Sequence, residues 1–150
     1  MEFSLKNKVL LITGASRGIG QAAAIGLAQA GADLAITSRK LPDLEKVAEE
    51  IKKTGRKCLP VPAHVGKMEE IDNLVKRVLE EFGRIDILVN NAATNPTMAS
   101  AIDIDERAWD SIMNLSLKGL FFLRQAVATG MREKGGGKII NVASVAGITE

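Results

Sequence analysis

Short apolar runs alternate along this chain with stretches whose apolar residues recur at helical spacing. That alternation restricts the fold more than any other feature. Residues 8–13 (KVLLIT), 33–38 (DLAITS), 57–63 (KCLPVPA), 86–90 (DILVN) and 138–144 (KIINVAS) read as buried strands. Residues 19–30 read as a helix stopped by Gly31. Residues 41–55 place Leu44, Val47, Ala48 and Ile51 on one helical face and stop at Gly55. Residues 67–83 repeat the pattern through Ile71, Leu74, Val75, Val78 and Phe82, and stop at Gly83. A loop containing Pro96 leads to a long helix over residues 105–134. Strands alternating with helices predict a parallel sheet covered on both faces, and right-handed crossovers make it doubly wound. The expected fold is therefore α/β, a Rossmann-type three-layer α/β/α arrangement in one domain. Pro60 and Pro62 put the third strand at an edge, because proline cannot donate to a central ladder.

Composition narrows the function classes. The 150 residues carry a net charge of +2 with acidic and basic side chains interleaved, so no concentrated basic patch argues for nucleic acid. Cys58 is the single cysteine, which excludes an internal disulfide and fits a reducing compartment. The opening residues MEFSLKNK lack the apolar centre of a secretory signal, and no run reaches the length of a membrane span. A cytoplasmic protein without membrane partners is expected. His64 is the one histidine, so a histidine metal cluster is not expected.

The segment TGASRGIG sets Gly14, Gly18 and Gly20 between the first strand and the first helix. Residues without side chains allow a tight turn and close backbone approach to a pyrophosphate. The helix N-terminus beyond them offers free N–H groups to the anion. A tight turn without a ligand would use the same glycines. The P-loop ending Gly-Lys-Ser/Thr is absent. Ser16 and Arg17 lie in this loop, and the second strand closes with Ser38 and Arg39 where an acidic residue would favour NAD. Two guanidinium groups there suit a 2′-phosphate, so NADP is expected over NAD.

Three further motifs follow in order: NNAA (residues 90–93) after the fourth strand, NLSLKG (114–119) in the long helix, and IINVASVAG (139–147) on the fifth strand. With the glycine loop, this series resembles the short-chain dehydrogenase/reductase family along the whole chain. HVGK and NNAATNP look most like its carbonyl reductases. The resemblance implies that Gly14, Gly18, Ile19 and Gly20 line the pyrophosphate. Residues 90–92 would brace the central strand and pass the backbone close to the cofactor, so that Asn91, Ala92 and Ala93 count among its binding residues. Asn114 would hold a water in a proton relay, and Ser144 would orient and polarise a substrate carbonyl. A serine at a strand end also serves as a turn cap. Ala93 stands where the family usually has glycine. His64, beside Val65, stands where the family usually has an acidic residue touching the adenine amino group. A neutral imidazole nitrogen would accept that hydrogen bond.

The resemblance also implies a tyrosine proton donor, tuned by a lysine in a Tyr-x-x-x-Lys segment after the fifth strand. The 150 residues contain no tyrosine. The expectation is a domain cut short after its fifth strand and inactive by itself, although its family reduces ketones or oxidises alcohols. A non-catalytic dinucleotide-binding or assembly module is the alternative, and a methyltransferase on a similar sheet is more distant. Leu117, Leu120, Phe121, Phe122 and Leu123 are too crowded for one core-facing stripe. In the family this helix packs against its twin, so a homo-oligomer through residues 105–134 is expected.

Overall fold

The computed structural model describes residues 3–145; residues 146–150, which hold the expected connection out of the fifth strand, lie outside the described residues. Five strands form one parallel sheet: β1 (Val9–Thr13), β2 (Asp33–Ser38), β3 (Cys58–Pro62), β4 (Ile87–Asn90) and β5 (Lys138–Asn141). Their spatial order is β3-β2-β1-β4-β5. The helices are α1 (Gly18–Gln29), α2 (Leu41–Lys52), α3 (Met68–Phe82), α4 (Glu106–Met113) and α5 (Leu120–Glu133).

Every residue of β1 is buried, as a central strand requires. Its alternation divides the core. Leu10 and Ile12, with Leu34 and Ile36 of β2, pack against α1 and α2 through Ala24, Ala28, Leu44, Val47 and Ile51. Leu11, Ala35 and Leu88 face the other way, onto Ile71, Leu74 and Val78 of α3 and Leu123, Val127 and Met131 of α5. Two cores, one on each face, make the predicted three-layer arrangement. Leu11 has no exposed surface, and truncating it to alanine would cost about 2–5 kcal/mol.

β3 is an edge strand, as its prolines required. Lys57 O accepts from Leu34 N–H at 2.9 Å and Ala63 N–H donates to Ser38 O at 2.9 Å. Odd-numbered residues thus turn their amides toward β2, and Pro60 and Pro62 fall on the outward side.

Two expectations need correction. The fifth strand is not buried: Lys138, Ile140 and Asn141 are exposed and Ile139 is half-buried. It pairs with β4 alone among the described residues, and Ile140 keeps 49% of its surface exposed. An apolar run records what a strand can bury, not whether a neighbour covers it. The long helix is not uniform either. A π-helical segment, Asn114–Gly119, separates α4 from α5. The overcrowding expected there is real. Leu123 is buried at 1% exposure, while Leu117, Phe121 and Phe122 remain exposed.

Candidate functional site

The chain leaves β1 toward β2 on one side, while β4 pairs on the other. The loops after β1 and β4 therefore diverge and open a crevice at the C-terminal ends of the strands. A cleft of about 630 Å³ occupies this place. Its wall contains Gly14, Ser16, Arg17, Gly18 and Ile19 from the glycine loop, and Ser38 and Arg39 from the end of β2. His64 and Val65 come from the loop after β3, and Asn91, Ala92 and Ala93 from the loop after β4. The fold thus brings together loops that lie far apart in sequence.

Gly20 does not line the cleft. A Cβ there would run into the Gly14 carbonyl oxygen and lie 2.5 Å from Asn91 Nδ2. It is a packing glycine, which lets α1 close on β1 and β4. Gly18 behaves oppositely. Its φ is +58°, and a Cβ there would meet no protein atom within 4 Å. Gly14, with φ +66°, approaches Ala92 closely enough that a Cβ would lie 2.9 Å from the Ala92 Cα.

The approach of these loops is held by a residue that the motif reading passed over. Thr13 Oγ1 accepts the N–H of Asn91 at 3.0 Å and that of Ala92 at 2.9 Å. Asn91 Nδ2 returns hydrogen bonds to Thr13 O at 3.0 Å and Gly14 O at 3.2 Å. A threonine at the end of an otherwise aliphatic strand was the available sequence signal. Beside it, Asn90 Nδ2 donates to Asn141 Oδ1 at 3.0 Å and ties β4 to β5. Ser144, three residues beyond β5, is exposed and belongs to the same end of the sheet as the cleft. Asn114 begins the π-helical segment. Neither Ser144 nor Asn114 is in the cleft wall, but Ser111 and Leu115 of the same helical stretch are.

The wall also includes Thr37, Lys40, Asp43 and Thr94. Thr37 Oγ1 and Ser38 Oγ are buried without a hydrogen-bond partner. Orphaned hydroxyls at the rim of a cleft are unusual, because buried polar atoms are nearly always satisfied. Arg17, Arg39 and Lys40 supply positive charge to the same wall; the Asp43 carboxylate opposes them, but lies 3.5 Å from Lys46 Nζ.

The loop after β3 is pinned from behind. His64 N–H donates to Glu70 Oε2 at 2.6 Å, and Lys67 Nζ lies 3.1 Å from Glu70 Oε1. The His64 amide first, then Lys67, hold the Glu70 carboxyl below its usual range. His64 Nδ1 accepts from Gly66 N–H at 3.1 Å. That bond corrects the expectation of a free acceptor: Nδ1 is engaged, and the remaining ring nitrogen of a neutral imidazole is a donor. Among the described residues no group of histidine, cysteine and carboxylate side chains is placed to hold a metal. No helix there is long and apolar enough to cross a membrane.

A family model described as short chain dehydrogenase matches residues 8–150. The 2-dehydro-3-deoxy-D-gluconate 5-dehydrogenase of Escherichia coli K12 is 42% identical over 144 residues, covering 95% of this chain and 56% of that protein. A solved 7α-hydroxysteroid dehydrogenase complexed with NADH and 7-oxo glycochenodeoxycholic acid superposes with a TM-score of 0.94 at 29% identity, over 99% of this chain and 58% of its own. A metagenomic short-chain oxidoreductase in complex with NADP does so with a TM-score of 0.92 at 33% identity, over 97% and 66%. The chain spans about half the length of the curated relatives it matches. By sequence, sheet order and cleft, the chain belongs to the short-chain dehydrogenase family.

Proposed function

We propose that the cleft binds NADP(H), in preference to NAD(H), for exchange of a hydride with a ketone or alcohol. The observation that carries this reading is the end of β2. Thr37 and Ser38 leave hydroxyl oxygens unsatisfied where Arg17, Arg39 and Lys40 gather positive charge. An anionic group with several acceptor oxygens suits such a place, and guanidinium forks recognise phosphate in paired hydrogen bonds. No acidic residue closes β2 to receive a ribose 2′-hydroxyl. The glycine loop fits the rest of a dinucleotide. Gly18 opens onto the cleft without a side chain, and no side-chain cap covers the first turn of α1.

A bound nicotinamide supplies the hydride chemistry. The chain's own groups orient the partners. Ser144 polarises the substrate carbonyl, and Asn114 holds a water for proton relay. Neither is an acid, and the tyrosine that the family resemblance implies as proton donor is not among the 150 residues. These residues by themselves are expected to bind cofactor with little carbonyl reduction. The exposed outer face of α5 serves self-association, and a cytoplasmic location suits the single thiol.

Titration of the chain with NADPH and NADH, followed by nicotinamide fluorescence, tests the cofactor reading. Tighter binding of NADPH is expected. Equal or tighter binding of NADH rejects the phosphate assignment, and binding of neither by folded chain rejects the cofactor.

A further inference from the structure

The loop after β3 carries a second specificity element. It rests on the reading of the cleft as a dinucleotide site. His64 Nδ1 receives the Gly66 N–H at 3.1 Å. A backbone amide only donates, so Nδ1 carries no proton and the neutral ring keeps its proton on Nε2. This is the turn that aspartate or asparagine makes with the N–H two residues onward. The difference lies in what is left over. An aspartate closing that turn with one oxygen keeps a second oxygen as an acceptor. Imidazole keeps a donor.

Ring and turn are in close contact, since a Cβ at Gly66 would sit 2.9 Å from His64 Cε1, and the bond to Gly66 N–H is what distinguishes this ring orientation from the reversed one. The His64 amide is held by Glu70, and Lys67 N–H donates to His64 O at 2.9 Å. On the far side, the Val65 carbonyl lies so close to Gly119 that a side chain there would collide with it. Turning the ring to free Nδ1 would give up the hydrogen bond from the half-buried Gly66 amide, a cost that Nε2 as a donor does not incur.

We propose that His64 meets the 6-position of the cofactor purine as a hydrogen-bond donor. The cleft then does not select the adenine amino group, whose hydrogens also donate, and it takes a 6-oxopurine dinucleotide at least as readily. The usual acidic residue would impose the opposite preference.

The test compares NADPH with reduced nicotinamide hypoxanthine dinucleotide phosphate, in which oxygen replaces the 6-amino group and the adjacent N1 carries a hydrogen, a change common to all variants compared. Dissociation constants are measured by fluorescence for the wild type, His64→Asn and His64→Asp. Asparagine preserves both the turn acceptor and the outward donor, and aspartate preserves the turn but presents an acceptor. The ratio within each variant cancels any general effect of added charge on affinity. Wild type and His64→Asn are expected to bind the hypoxanthine form within about threefold of NADPH or more tightly. His64→Asp is expected to favour NADPH by roughly tenfold, the worth of one hydrogen bond. A wild type that prefers NADPH by more than about threefold overturns the proposal, as does His64→Asp with an unchanged ratio. Binding of neither dinucleotide by chain that circular dichroism shows to be folded overturns the cofactor reading and this proposal with it.

Discussion

Thr13 and Asn91 hold each other in both directions. The Thr13 hydroxyl accepts the Asn91 backbone N–H at 3.0 Å, and the Asn91 side-chain amide donates to the Thr13 carbonyl at 3.0 Å. The pair joins the last residue of β1 to the first residue after β4. It fixes the width of the crevice between two loops that diverge.

Replacing Thr13 by valine keeps the shape and removes the acceptor from two half-buried N–H groups, those of Asn91 and Ala92. Thr13 is 1% exposed, so water has little room to take the place of its hydroxyl. Thr13→Val is expected to lose about 1–2 kcal/mol in denaturant unfolding, and Thr13→Ser to recover most of it. A Thr13→Val variant as stable as the wild type would show that the stitch carries no load.

Gly18 and Gly20 should separate stability from binding. A Cβ at Gly20 has nowhere to go between Gly14 and Asn91. Gly20→Ala is expected to cost roughly 1–3 kcal/mol through overpacking. Gly18→Ala meets no protein atom and pays only for its left-handed φ of +58°, about 1–2 kcal/mol. It should nevertheless weaken NADPH binding severely, because its methyl group enters the cleft. Calorimetric dissociation constants and melting curves on both variants check the split.

Arg39→Ala is expected to reduce the NADPH-over-NADH preference by tenfold or more, while NADH affinity changes little. Arg17, in the same wall, should behave similarly with a smaller effect, because Arg39 and Lys40 remain. Fluorescence titration reads both constants. An unchanged ratio in Arg39→Ala would remove the basis for the NADP assignment.

The Asp86 carboxylate sets an acid limit on stability. Burial pushes its pKa up, but bonds from Arg84 and from Val9 N–H at 2.9 Å prevail and hold it below the ordinary value. A depressed folded pKa means that the stabilisation is complete above the unfolded pKa of about 3.9 and is lost as pH falls through the folded value. Asp86→Asn has no such charge to lose. The stability difference between wild type and Asp86→Asn is therefore expected to stay constant above about pH 5 and to shrink below about pH 4. Urea unfolding across that range measures it, and a difference independent of pH would contradict the assignment.

Strand and helix positions, the prolines at the β3 edge and the assembly of the cleft wall were legible in sequence, because periodicity and strand order follow from local pattern and chain crossover. Three features were not. The burial of β5 depends on whether a neighbour covers it, and an apolar run such as KIIN has the same sequence in either case. The polarity of His64 depends on Gly66 N–H, two residues away but visible only once the turn is built. Thr13 looked like a strand end, and its hydroxyl acquired a purpose only when β4 arrived beside β1. In each case the missing information was the identity of a spatial neighbour. Asn114 adds a further limit, since the residue types of NLSLKG do not distinguish a π-helical turn from an α-helical one.

The outer face of α5, with the π-helical segment before it, should govern assembly. Leu117 is 58% exposed, Phe121 45% and Phe122 39%, while the same stretch buries Leu123 and Val127 against α3. Phe121 and Phe122 meet edge to face at 5.4 Å, and the Arg124 guanidinium stands 5.3 Å over the Phe121 ring. The patch is thus preorganised rather than loose, and a contiguous apolar face of this kind favours association. Leu117→Glu combined with Phe121→Glu places two like charges on the face and leaves the inward residues untouched. The double variant is expected to fall to monomer mass by light scattering where the wild type is larger. Its melting curve, taken at a concentration where both are monomeric, should shift little, because surface substitutions away from the core move stability by about 0.5 kcal/mol or less. A wild type that is monomeric at tens of micromolar, or a double variant that keeps the larger mass, would show that assembly does not run through this helix.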